Sequence, residues 1–145
     1  MADTMDNKYV VFKLSDEFYG LPIRCVKGIE KPSKTTRVPN TYPYVKGVMN
    51  LRGDVVTVLD LRSKLGLMEK EEDSYSRTIV VMKDELTVGL VVDSSSEVIN
   101  IPQDKIDQAA QASSDQVTEE LITGIGKTQD GRLIIILDLA KILEN

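Results

Sequence analysis

Short apolar runs broken by turn residues, with no long helical period between them, limit this chain to a mostly β fold. The runs fall at about 9–14, 18–29, 45–51, 55–59, 77–82, 86–92, 97–101, 122–128 and 133–137. Ser15-Asp16, Asp84-Glu85 and Asp130-Gly131 interrupt them, the last a favoured hairpin pair because both residues tolerate φ > 0. Parallel βαβ units need a helical crossover between strands, and no segment here supplies one. Asp60 and Asp138 each precede a brief apolar-periodic segment, which predicts the N-cap of a short helix. Leu133 to Leu137 is apolar at every position, which predicts a strand covered on both faces. The expected architecture is two small five-stranded SH3-like β-barrels packed together, with a short helix closing each half.

The two halves echo each other. Tyr9-Val10-Val11-Phe12 before Gly20-Leu21-Pro22-Ile23 parallels Ile79-Val80-Val81-Met82 before Gly89-Leu90-Val91-Val92. Leu59-Asp60-Leu61-Arg62 parallels Leu137-Asp138-Leu139-Ala140. The repeat offset grows along the chain, which places an insertion in the polar, Gln- and Ala-rich stretch 104–120, where a broken apolar face leaves a helix open. Glu69 to Ser74, nearly all charged, reads as a solvated connector. The approximate halves are 8–68 and 75–145, with exchange of strands between them left open.

Composition removes most catalytic chemistry. The 145 residues contain no histidine, so Ser-His-Asp, Cys-His and phosphohistidine chemistry and His-based metal sites are all excluded. No metal site, cofactor or catalytic residue is expected. The net charge of −5 with dispersed cations argues against a nucleic-acid partner. The longest apolar run is far too short for membrane insertion, and the acidic start (Asp3, Asp6) lacks a hydrophobic signal region; both point to a cytoplasmic protein. Cys25, the single cysteine, reads as a buried or half-buried strand residue. Gly124-Ile125-Gly126-Lys127-Thr128 ends like a P-loop, but Leu121 stands where its first glycine belongs, and a hairpin rather than a helix follows. The scattered aspartates, Asp54, Asp84, Asp93 and Asp130 among them, are accounted for by turns.

The segment Val45 to Arg62 is a hairpin with an Arg52-Gly53-Asp54 tip. Its matching place in the second half, Lys127-Thr128-Gln129, has no arginine. A feature found in one copy of a duplicated unit is a candidate for function, since arginine's planar fork suits carboxylates on a partner. The residues alone serve equally for a surface arginine paired with Asp54 or Asp60. Tyr42-Pro43-Tyr44 favours a structural role, covering a barrel end, over an aromatic anchor.

The string Gly-Val-x-Asn-Leu-Arg-Gly-x-Val-Val-x-Val-x-Asp-Leu-Arg over 47–62, entered from Val45-Lys46, resembles the core motif of the CheW family of chemotaxis coupling proteins. Tyr19-Gly20-Leu21-Pro22-Ile23 and Asp130-Gly131-Arg132-Leu133-Ile134-Ile135 extend the resemblance over nearly the whole chain, as one CheW-like domain over 8–145. The resemblance implies a fold of two SH3-like subdomains and a non-enzymatic adaptor joining chemoreceptors to the histidine kinase CheA. The implied partners are the C-terminal CheW-like regulatory domain of CheA and the cytoplasmic tip of methyl-accepting receptors. It further implies recruitment to receptor arrays at the membrane. A CheW-like scaffold subunit of another two-component pathway is the alternative. Partner-binding residues implied are Lys46, Gly47, Asn50, Arg52 and Gly53, with Arg62 expected on the solvated face of the following helix. The family often carries glutamate in a Val-x-Glu-Ile sequence on an early strand; Gly28 stands there, so that glutamate's role does not carry over.

Overall fold

In the computed structural model, which describes residues 7–107 and 119–144, the apolar runs become eleven strands and two short helices. These are β1 (Lys8–Leu14), β2 (Glu17–Pro22), β3 (Val26–Glu30), β4 (Val45–Leu51), β5 (Asp54–Asp60), α1 (Leu61–Lys64), β6 (Arg77–Lys83) and β7 (Leu86–Val92). β8 (Ser94–Asn100), β9 (Ile106–Asp107), β10 (Ile122–Lys127), β11 (Leu133–Leu137) and α2 (Leu139–Ile142) follow. The run 18–29 is divided: Pro22 has no N–H to continue a ladder, and a 3-10 turn at Ile23–Cys25 separates β2 from β3.

That turn carries the chain between two sheets. One is six-stranded, in the order β8-β1-β2-β11-β10-β9; the other is five-stranded, β3-β6-β7-β5-β4. The expectation of two five-stranded barrels is met in one sheet; the other gains the two-residue β9, and neither is closed by pairing of its edge strands. The sheets also do not divide at the connector 69–74. The first hairpin, β1-β2, lies beside β8–β11, while β6-β7 pairs with β3 and β5, so both 8–68 and 75–145 give strands to both sheets. Parallel ladders β2–β11 and β5–β7 cement the exchange. The five-stranded sheet is therefore continuous in sequence from Val26 to Val92, entered at Ile23–Cys25 and left at the single residue Asp93.

Three cores result. The largest lies between the sheets and takes Val10, Phe12, Leu14, Tyr19 and Leu21 from one, Leu59, Ile79, Val81 and Leu90 from the other, and Leu61, Leu65, Leu139 and Ile142 from the helical segments. A second core holds Tyr9, Val11, Ile101, Ile134 and Ile136; a third holds Met49, Val56, Val58, Val80 and Val91. Strand alternation explains the division: Val10 and Phe12 face the seam while Tyr9 and Val11 face the other way, so β1 is apolar on both sides. Each fully buried aliphatic side chain contributes about 1.5–3 kcal/mol, so the seam outweighs either flanking core. Ile134 to Leu137 are covered on both faces as predicted, but Leu133 at the strand's start is 60% exposed.

Asp60 and Asp138 do cap α1 and α2: their side chains accept from the backbone N–H of Arg62 and Lys141 respectively. The predicted insertion at 104–120 lies mostly outside the described residues. Its flanks are a 3-10 turn at Gln103–Lys105 with β9, and a 3-10 turn at Glu119–Leu121. Gly124 and Gly126 lie within β10, which runs into a hairpin, so no phosphate-cradling helix follows them. Among the described residues, no helix is long and apolar enough to cross a membrane.

Candidate functional site

The tip of the β4-β5 hairpin is a two-residue turn closed by the Leu51–Asp54 pair. Its central residues Arg52 and Gly53 have φ of 51° and 93°. Tight hairpins favour turns with φ > 0 at both positions because their twist matches that of the strands, and Asn, Asp and Gly fill them. The comparable turns of this chain obey the rule at their left-handed positions: Ser15 has φ 58° and Asp84 has φ 57°, both small and polar. Arg52 departs from it, placing a long cation where an L side chain costs about 1–2 kcal/mol. Strain kept at an exposed turn points from the outlier toward function.

The Arg52 side chain is 79% exposed, and among the described residues its one ion pair is a long contact of 3.5 Å from Nη2 to Glu30 Oε2. Neither Asp54 nor Asp60, the partners suggested by the sequence, takes it; Asp60 is occupied at the N-cap of α1. The sheet instead curls until the end of β3 reaches the β4-β5 tip. Glu30, two positions after Gly28, supplies the carboxylate. Asn50 builds the turn, its Oδ1 accepting from the Gly53 N–H at 3.0 Å.

Two exposed apolar residues, Val55 just after the turn and Leu86 at the start of β7, lie at this end of the sheet. Thr57 aligns with Val88 in the parallel β5–β7 ladder, so Val55 and Leu86, two residues earlier on each strand, lie level on the same face. They are 73% and 53% exposed. An exposed arginine with uncovered apolar side chains at the same end of the sheet fits an interface patch, where the buried centre is apolar and arginine is enriched. Sequence reading missed both residues because each belongs to a buried-looking run; only the parallel pairing shows that they project past the seam core.

Lys46 and Gly47 sit at the other end of β4, roughly 20 Å from Arg52 at the rise of a strand. Lys46 Nζ pairs with Glu72 Oε2 of the connector at 3.0 Å. Gly47 is buried with φ 146°, and a Cβ there would run into the Thr36 carbonyl of the strap 31–44, which pairs with β4 through Thr36 and Val48. Tyr42 stacks on Tyr44 with ring centres 5.3 Å apart, and Lys64 Nζ lies 4.2 Å from the centre of the Tyr44 ring; Tyr44 packs against the seam core, while Tyr42 is exposed.

Arg62 does not lie on a solvated face. It is 8% exposed, with Nη1 donating to Asp93 Oδ2 (2.8 Å) and Ser15 Oγ (3.0 Å) and Nε donating to the Met68 carbonyl (2.8 Å). The four-residue helix is too short to turn its second residue away from the seam. In the six-stranded sheet, the loop matching the Arg52 turn has an arginine of its own, Arg132, held by Glu97 and Asp130. Hydrogen bonds from Thr128 and then Arg132 hold the Asp130 carboxyl below the usual carboxylate range. Cys25 is half-buried and lines a cleft of about 310 Å³ with Arg24, Lys83 and Asp138. Among the described residues no three of Cys, Asp and Glu are grouped to hold a metal ion.

Comparison with known proteins identifies the family and fold. The family model described as CheW-like domain matches residues 8–145. The chain is 36% identical over 140 residues to the chemotaxis protein CheW of Bacillus subtilis, covering 94% of this chain and 86% of that protein. It is 39% identical over 137 residues to CheW of Helicobacter pylori, covering 94% and 81%. Among solved structures, the scaffolding protein TtCheW from Thermoanaerobacter tengcongensis superposes with a TM-score of 0.87 at 34% identity, covering 97% of this chain and 94% of that one.

Proposed function

This chain belongs to the CheW family, and its role is that of an adaptor in chemotaxis signalling; from this we propose that it joins CheA to chemoreceptors through the Arg52 hairpin. The observation carrying the site is the strained, exposed Arg52 at an end of the sheet that also leaves Val55 and Leu86 uncovered. In this reading Arg52 meets a carboxylate or backbone carbonyl of the C-terminal CheW-like domain of CheA or of a receptor's cytoplasmic tip. Asn50 and Gly53 shape the turn that presents it. Lys46 and Gly47 contribute by seating the connector and the strap against β4. The partners draw the protein into receptor arrays at the membrane, and control of the kinase is geometric, with no bond made or broken by the adaptor.

Charge reversal tests the site. Arg52→Glu is expected to retain the circular dichroism spectrum and thermal midpoint, because the side chain is solvated. Its binding to the CheA domain or to a receptor fragment should weaken at least tenfold, since breaking a desolvated charged pair costs about 2–5 kcal/mol. Lys127→Glu, an exposed reversal on the other sheet, is the control. Normal binding of Arg52→Glu to both partners overturns the assignment; binding to neither by the wild-type protein would favour a scaffold of another two-component pathway.

A further inference from the structure

Arg62 belongs to no surface that a partner could reach, yet it joins four separate chain segments. It projects from α1, which follows the last turn of β5 in the five-stranded sheet. Through Nε it takes the carbonyl of Met68, and through Nη1 it reaches Ser15 in the β1-β2 turn of the six-stranded sheet and the carboxylate of Asp93. Asp93 is the single residue by which the chain passes from β7 to β8, hence from one sheet to the other. Its Oδ2 also accepts from the Ser15 N–H at 2.7 Å, and its own N–H donates to the Lys13 carbonyl at 3.1 Å. Both members of the ion pair are almost dry, with side chains 10% and 14% exposed.

The seam core around this cluster is apolar, and apolar packing is non-directional: it holds two surfaces together without selecting one angle between them. Hydrogen-bonded charges in a low-dielectric seam are directional, and a buried pair that loses one partner leaves the other charge uncompensated, so the pair disfavours arrangements that part it. The other crossing between sheets, Ile23–Cys25, is a 3-10 turn that follows Pro22.

We infer that Arg62 and Asp93 form a latch that sets the angle between the two sheets, making Arg62 a positioning residue for coupling. The inference rests on the adaptor reading above, because an adaptor that works by geometry must hold its two sheets at a fixed relation. It assigns a role to the second arginine of the 47–62 motif distinct from that of Arg52: one contacts partners, the other fixes where they sit relative to each other.

Pulsed EPR on the full chain tests this directly. Nitroxides are placed at Lys27→Cys on β3 and Leu133→Cys on β11, both exposed, in a Cys25→Ala background. With Arg62 present, a single narrow distance distribution is expected; Arg62→Met should at least double its width while circular dichroism stays native. Binding of that variant to the CheA domain alone, or to the receptor fragment alone, should change less than threefold, whereas assembly of all three should fall at least tenfold. Arg62→Lys, which keeps the charge but loses the fork, should recover part of both. An unchanged distribution, or undiminished three-component assembly by Arg62→Met, overturns the latch. Should Arg62→Met fail to fold, Arg62→Lys is judged by the same two criteria, broadening and loss of assembly. Failure of the wild-type protein to assemble its partners would count against the adaptor reading, and the distance measurement would still decide the latch.

Discussion

Replacing Arg52 by Asn separates stability from function in opposite directions. The turn requires φ > 0 at this position, and Arg52 adopts 51°. Asparagine is far better suited to that region, and Asn-Gly is among the most favoured pairs for such a turn. Relief of part of the roughly 1–2 kcal/mol penalty for an L residue there should yield about 0.5–1 kcal/mol. Against it stands the contact with Glu30, at 3.5 Å and with the arginine side chain 79% exposed. A solvated pair of that kind contributes about 0–0.5 kcal/mol. The balance is a gain of about 0.5 kcal/mol, which for a chain of this length raises the thermal midpoint by about 1–2 °C. Differential scanning calorimetry resolves that rise, and titration against the CheA domain should show affinity lower by at least tenfold. A midpoint lowered by more than about 2 °C would mean that the Glu30 contact outweighs the strain, making Arg52 a structural residue. Unchanged affinity would show that the strain is kept for some reason other than binding.

Gly47→Ala should lower stability by about 2–4 kcal/mol, since the added methyl meets the Thr36 carbonyl in a conformation L residues avoid; faster proteolysis of the strap 31–44 and an earlier thermal midpoint are the readouts, and a midpoint within a degree of wild type would refute it. Tyr19→Phe should stabilise by about 1 kcal/mol, because the Tyr19 hydroxyl is buried with no hydrogen-bond partner among the described residues. Burial foremost, with Glu17 adding to it, pushes this phenol up to about 12. The unfolded chain therefore loses that proton first, near pH 10, and the wild type should lose stability between pH 10 and 12 while Tyr19→Phe loses less of it over the same range. Urea midpoints across that interval measure the difference, and parallel curves would sink the assignment. Fragments 1–72 and 73–145 should each be unfolded alone and fold only when mixed, because each holds strands of both sheets; dispersed amide NMR spectra from either fragment alone would contradict this.

Much of the fold can be read from residue order. Strand existence follows from period-two alternation and continuous apolar runs, and Asp60 and Asp138 announce their helices because capping is a local interaction. Pairing across the chain is another matter. Nothing near β2 shows that it lies parallel to β11 rather than beside β3, since its alternating side chains suit either sheet. The repeat suggested two consecutive units, whereas the strands of each half are shared between sheets.

The site divides in the same way. Arg52 stands out in sequence because its duplicate position lacks an arginine, and the turn that strains it follows from a two-residue loop ending in glycine. Val55 and Leu86 become visible only once the parallel register of β5 on β7 is known and both side chains prove exposed. Arg62 was misplaced for a related reason: a helix of a few residues has no amphipathic face to read, so its exposure depends on what packs above it. Here that is Ser15, 47 residues away, and Asp93, 31 residues away. Sequence by itself determined the strands, the caps and the presented arginine, all of which depend on neighbours along the chain. The tertiary structure alone decided which strands share a sheet and which arginine is buried, because burial and pairing depend on segments that meet only after folding.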